Sequence, residues 1–245
     1  MIDTDATSTK LERAGAEIAF LPVGACEQHF GLLPLCTDIF QSERLARDIA
    51  AHFDSFLCPA LPYGTSLENT GRPGTLTLMP GTLAAVVRDL VESLYGQGFD
   101  LVVLINSHGG NFVLRPTVRE INYRNAGRKT IFVDPWELAP QAEVDRIFES
   151  RNELHCGEKE TSVMLYLAPE RVRREAMVDG VPEASRAELD MFSIPQLTGG
   201  RPWGLASRAT AEKGESFYNL MVETAVAFIR RVIDRHRAGD GSYQG

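Results

Sequence analysis

The chain has 245 residues, 44% of them hydrophobic and 24% charged, which is the balance of a soluble globular protein with a substantial core. Its formal net charge of −8 argues against a general nucleic-acid or membrane surface, since neither polyanion attracts an acidic protein. No apolar run approaches the ~20 residues of a bilayer span. In chain order, Glu17 to Gly24 reads as a buried strand ending in a loop, and Ile39 to Phe53 carries apolar residues at helical spacing. Phe56 to Cys58 is a short strand, followed by a loop through Pro59, Pro62, Gly64, Gly71, Pro73 and Gly74. Thr82 to Tyr95 is expected to be a helix stopped by Gly96 and Gly98. Leu101 to Ile105 is a continuous apolar run of the kind found in central parallel strands. Helix 112–126, strand Thr130 to Val133 and helix 158–168 follow. Residues 170–210 lack a clear pattern, and an amphipathic helix from about Glu212 to His236 closes the chain. Residues 1–14 and 238–245 are expected to be flexible flanks of one domain spanning 1–245. Alternating strands and helices imply a layered α/β fold with a mostly parallel sheet.

Three short segments concentrate the metal-binding side chains: Glu27-Gln28-His29 with Asp38, Asn106 to Asn111 around His108, and His155 to Glu160. Three of the five histidines fall in them. Imidazole with carboxylate suits zinc, manganese or iron, and water acidified by such a metal is a nucleophile at neutral pH. Glu27 and His29 follow one expected strand and His108 follows another, and in open parallel sheets ligands bind at the carboxyl ends of the strands. Glu158 and Glu160 open an expected helix, where carboxylates stay ionised readily. Taken singly, ExH fits a polar loop, SHGGN a glycine turn and HCGEKE a helix cap. Their joint occurrence at strand ends favours a metal-dependent hydrolase. His52 and His236 read as solvent-facing.

The four cysteines have no CxxC spacing, and the polar N-terminus resembles neither a signal nor a transit peptide. Reduced thiols and a cytoplasmic location are expected.

Leu21 to His29, continued through Leu33 to Asp38, resembles the opening motif of the creatininase (creatinine amidohydrolase) family. So do Pro62-Tyr63-Gly64 with Pro73 to Leu78, Asn106 to Asn111, His155 to Ser162, and the Trp203 to Gly214 stretch. The matches run in family order from about residue 17 to 236. The resemblance implies a three-layer α/β/α sandwich with a mostly parallel central sheet, a homo-oligomer (often a hexamer), and one or two divalent metals, Zn, Mn or Fe. It implies hydrolysis of a C–N bond in a small non-peptide amide, cyclic amide or formamide by metal-activated water. Glu27, His29, Asp38, His108 and Glu160 become the metal ligands, with Asp38 bridging two ions. His155 becomes the acid/base for the leaving nitrogen, and Glu158 a second acid/base or a residue that supports the ligands from behind. The only partner expected is a small-molecule substrate, with no nucleic acid and no membrane.

The chain departs from the family pattern in four places. Phe30-Gly31-Leu32 stands where Gly-Pro-His is usual, Asn69 where a histidine follows Glu68, Gly110 where creatininase has a glutamate, and Arg151 where it has a tryptophan. These changes argue against creatinine as substrate. Arg72, Arg151 or Arg201 could meet an anionic substrate. A non-amide substrate, such as a lactone or a sugar-derived cyclic ketone, and a non-catalytic metal-binding assembly role stay open.

Overall fold

The computed structural model describes residues 1–239. In chain order the elements are helix α1 (Ser8–Ala14), strand β1 (Ile18–Val23), α2 (Thr37–Ala50), β2 (Ser55–Leu57), α3 (Pro80–Gly96), β3 (Leu101–Asn106) and α4 (Leu114–Arg124). They continue with β4 (Lys129–Val133), α5 (Pro135–Leu138), α6 (Gln141–Ile147), α7 (Glu158–Leu167), α8 (Ile194–Thr198) and α9 (Ala211–Arg237). The strands form one sheet in the order β2-β1-β3-β4, every neighbouring pair parallel.

Side chains alternate across a strand, so the register decides which residues share a face. Leu57, Phe20, Val103 and Ile131 pair across the four strands. They pack on one side against Leu45 and Ile49 of α2 and Phe217, Met221 and Ile229 of α9. The next residues along, Leu21 and Leu104, pack on the other side against Leu83, Val87 and Val91 of α3 and Leu114, Val118 and Ile121 of α4. Burial on both faces is why β1 and β3 are apolar throughout. The result is the expected three-layer α/β/α arrangement with a parallel sheet. No helix among the described residues is long and apolar enough to cross a membrane, and the four cysteines are unpaired.

The N-terminal segment differs from the flexible flank expected of it. Thr7 caps α1 by accepting the Lys10 N–H, Leu11 packs on the α3 side of the sheet, and Gly15 ends the helix in the left-handed region at φ 62°. Ile2 runs beside β2, donating its N–H to Ser55 O at 2.7 Å and accepting that of Leu57 at 2.7 Å. At the other end, α9 runs to Arg237, and residues 240–245 of the expected C-terminal flank lie outside the described residues.

Candidate active site

The site lies at the carboxyl edge of the sheet, where β1 and β3 both end. Glu27 and His29 sit in the loop after β1, Asp38 in the first turn of α2, His108 just past β3, and Glu160 in the first turn of α7. The loops are fixed to one another: Ser107 Oγ donates to Asp38 O at 2.8 Å, and Asn106 Nδ2 to His108 O at 2.9 Å. Asn106 also donates to Asp134 at the end of β4 (3.0 Å), so three strands hold the third motif.

Asp38 is the centre of the geometry. Its Oδ1 lies 3.4 Å from His29 Nε2, and its Oδ2 lies 3.1 Å from His108 Nδ1. His29 Nε2 is also 3.3 Å from Glu160 Oε1, while its Nδ1 lies 3.1 Å from Glu27 O. A ring N–H donated to that carbonyl leaves the Nε2 lone pair facing two carboxylates, the usual orientation of a metal-ligating histidine. His108 Nε2 lies 2.8 Å from Thr65 O and 3.5 Å from Glu27 Oε2. All five expected ligands therefore converge, buried or nearly so.

The electrostatics describe a site short of positive charge. Burial alone would lower the His29 and His108 pKa values, but the surrounding carboxylates outweigh it and hold both well above the ordinary histidine value. Burial likewise opposes ionisation of Asp38, yet the two imidazoles keep its pKa below the usual carboxylate range. Glu27 is pushed up to about 7, chiefly by burial. Asp38 Oδ2 is buried without a hydrogen-bond partner, despite the His108 nitrogen beside it.

Two sets of three donors, Glu27-His29-Asp38 and Glu27-Glu68-His108, bring ligand atoms within 4.8 Å of one another. A third set joins His29, His155, Cys156 and Glu160. Imidazoles and carboxylates in this density, with an orphaned buried oxygen, fit one or two divalent cations of the zinc or manganese type.

His155 stands apart electrostatically. Burial, with His29 nearby, lowers its pKa to about 4, so the ring is neutral at neutral pH. Its Nε2 lies 2.8 Å from Gln28 O, and its Nδ1 lies 3.6 Å from Glu27 Oε1. The Phe30 ring sits 5.7 Å from the His155 ring, and Phe30 adopts φ 51° to do so.

Glu158, expected as a second acid/base or as a support behind the ligands, turns its carboxylate away from the site. Its carboxylate is fully buried and accepts the N–H groups of Glu149 (3.0 Å) and Ser150 (2.7 Å) and the Lys213 ammonium (2.5 Å). Two residues apart on a helix point to different sides, and here only Glu160 turns inward.

Three contributors escaped sequence reasoning. Asn69 donates to Glu27 Oε2 at 2.9 Å and accepts from Gln28 Nε2 at 2.6 Å, so it orients a ligand where the family's histidine is absent. Glu153 receives the N–H groups of Glu158 (2.7 Å) and Lys159 (2.8 Å), capping α7 and aiming Glu160; burial raises its pKa to about 7. Glu68 faces His108 across 3.7 Å. Only the pairing of Glu68 with Asn69 in the second motif pointed to any of them.

The site opens into a cavity of about 670 Å³. The cations on its wall are Lys159 and Arg186, not Arg72, Arg151 or Arg201. Arg151 pairs with Asp145 on the surface, and Arg72 lies over the Phe30 ring. Trp136 lines the cavity while its ring packs edge-on to Phe217, whereas Trp203 is fully buried.

The chain matches the Creatininase (creatinine amidohydrolase) family over residues 4–229. It is 29% identical over 235 residues to a creatinine amidohydrolase of Pseudomonas putida, covering 89% of this chain and 90% of that one. It is 31% identical over 235 residues to a mycofactocin precursor peptide peptidase of Mycolicibacterium smegmatis, covering 87% of this chain and 85% of the relative. A solved creatininase variant of the Zn-Zn type superposes with a TM-score of 0.80 at 25% identity, covering 94% of this chain and 97% of that one. With its motifs gathered at one sheet edge and nearly its whole length matched, the chain belongs to the creatininase family.

Proposed function

We propose that this creatininase-family hydrolase is metal-dependent and cleaves a C–N bond in a small non-peptide amide, cyclic amide or formamide other than creatinine. The observation that carries the reading is Asp38, whose two oxygens face two different histidines at 3.4 and 3.1 Å. Glu27, His29, Asp38, His108 and Glu160 would hold one or two divalent ions, Asp38 spanning both halves. Cations bound there would polarise the scissile carbonyl and acidify water.

The chain's own groups supply the rest. His155, neutral at physiological pH, can take up a proton and deliver it to the departing nitrogen, without which the tetrahedral species collapses backwards. Donation from its Nε2 to Gln28 O would fix the ring and leave Nδ1 for that proton. Asn69 and Gln28 hold Glu27 in place, and Glu153 fixes the helix end that bears Glu160. Phe30 packs its ring beside that of His155. Lys159 and Arg186 offer positive charge to an anionic part of the substrate.

The test is a panel of lactams, formamides, short peptides and lactones, offered to protein reconstituted with Zn²⁺ or Mn²⁺. Release of amine or ammonia from a lactam or formamide is expected. Turnover confined to lactones refutes C–N cleavage, and turnover confined to peptides moves the substrate class to that of the mycobacterial relative. We also propose a cytoplasmic homo-oligomer, hexameric by resemblance, which sedimentation would test.

A further inference from the structure

Glu68 sits in a 3₁₀ turn, Leu67–Asn69, within the glycine- and proline-rich loop after β2. The turn is anchored on both sides. Ser66 N donates to Thr77 Oγ1 at 2.8 Å, and Asn69 is tied into the Gln28–Glu27 network. Position 68 is thereby held against the third motif, with Thr65 Oγ1 closing on Gly110 O.

Two facts about that contact matter. A Cβ at position 110 would overlap Glu68 Oε1, Thr65 O and His108 Nε2, so only a bare backbone there lets the loop approach. Glu68 Oε1 then lies 3.7 Å from His108 Nε2, beside Glu27 Oε2 at 3.5 Å from the same nitrogen. No lysine or arginine among the described residues pairs with Glu68; its one ion-pair partner within 4.0 Å is His108. Independently, Asp38 Oδ2 on the other edge of the His108 ring is buried and unpartnered.

We propose that Glu68 is a metal ligand, completing a Glu27–Glu68–His108 donor set through the space that a side chain at position 110 would fill. The proposal rests on the metal-dependence argued above and names a donor of that same site. The three residues can place ligand atoms within 4.8 Å of one another, a span that one divalent cation covers. A cation on the Nε2 edge would displace the present contact with Thr65 O. The loop after β2 thus acts as part of the metal centre as well as its rim.

The experiment compares wild-type protein with Glu68→Gln and Glu68→Ala, each stripped of metal and titrated with Zn²⁺ against a chromophoric chelator. Metal per chain is read by elemental analysis, and Co²⁺ absorption reports the ligand field. Both variants should bind the cation of this half about 10–100-fold more weakly or lose it, with a changed Co²⁺ spectrum and an unchanged far-UV dichroism. Variants that match wild type in stoichiometry, affinity and spectrum overturn the role of Glu68 while leaving metal-dependence standing. Wild-type protein that takes up no divalent cation overturns both. Should Glu68→Ala fail to fold, the near-isosteric Glu68→Gln decides the question alone.

Discussion

Replacing Glu158 with Gln separates a structural carboxylate from a catalytic one. The carboxylate is fully buried and binds two backbone N–H groups and the Lys213 ammonium, joining α7 to α9 and to the 149–150 segment. Removing one charge of a buried pair costs about 3–5 kcal/mol. Lys213 is 22% exposed and keeps Glu149 at 3.2 Å, and Gln still accepts from the backbone, so solvent and the remaining partners reduce the loss to about 2–3 kcal/mol. At about 2–4 °C per kcal/mol for a chain of this size, the melting temperature should fall by roughly 4–12 °C. Thermal denaturation followed by circular dichroism measures this, beside metal content and turnover at 25 °C. Metal content and turnover should be unchanged, because neither Glu158 oxygen faces the cavity. An unshifted melting temperature with reduced turnover would refute the reasoning and return Glu158 to the chemistry.

Three further outcomes are expected. His155→Ala should keep its metal and lose turnover by on the order of 10² or more, measured by steady-state kinetics with elemental analysis of the same sample. Asp38→Ala removes the carboxylate shared by both halves, and the purified variant should contain no tightly held metal; a full complement would sink the bridging role. Metal-free protein should lose stability as pH rises above about 6.5, the ordinary histidine value. The folded pKa values of His29 and His108 are raised, so their contribution is complete below the unfolded value and disappears as pH climbs through the folded one. Glu27, raised to about 7, acts in the same direction, whereas His155, lowered to about 4, opposes it near pH 6.5, where the unfolded imidazole is still about half protonated, and adds nothing above about 7.5. Melting curves across this range, with and without Zn²⁺, test the sign; a metal-free protein that gains stability with pH contradicts it.

The layered fold and the convergence of the five candidate ligands were legible because their signals are local. Leu101–Ile105 is apolar throughout since both faces are covered, and Glu27, His29 and His108 stand directly after strand-like runs. Asp38 and Glu160 were reached through motif order, since the sequence does not say which residue of a helix's first turn points inward. Glu158 shows the cost: HCGEKE offers two carboxylates, and only the packing of α7 on α9 decides that one of them meets Lys213. Glu68 and Asn69 were hidden for a different reason. They occupy a 3₁₀ turn in an aperiodic loop, and their roles depend on side chains some forty residues away in the chain. Glu153 resembles any acidic loop residue until α7 is seen to begin against it. α1 carried too few apolar residues for periodicity to register, although Thr7 and Gly15 mark its ends.

The five candidate ligands come from separate connections, spread from residue 27 to residue 160, and of them only Glu27, His29 and Asp38 lie within one short stretch. On the proposed metal dependence, an ion shared between that stretch and His108 or Glu160 would staple distant parts of the chain together. Uptake and folding would then be a single linked equilibrium: free ion at a thousand times its dissociation constant would add about 4 kcal/mol to the native state. Sequestering agents would therefore loosen the architecture of the molecule together with its chemistry, and ion supply during synthesis would govern how much native protein accumulates.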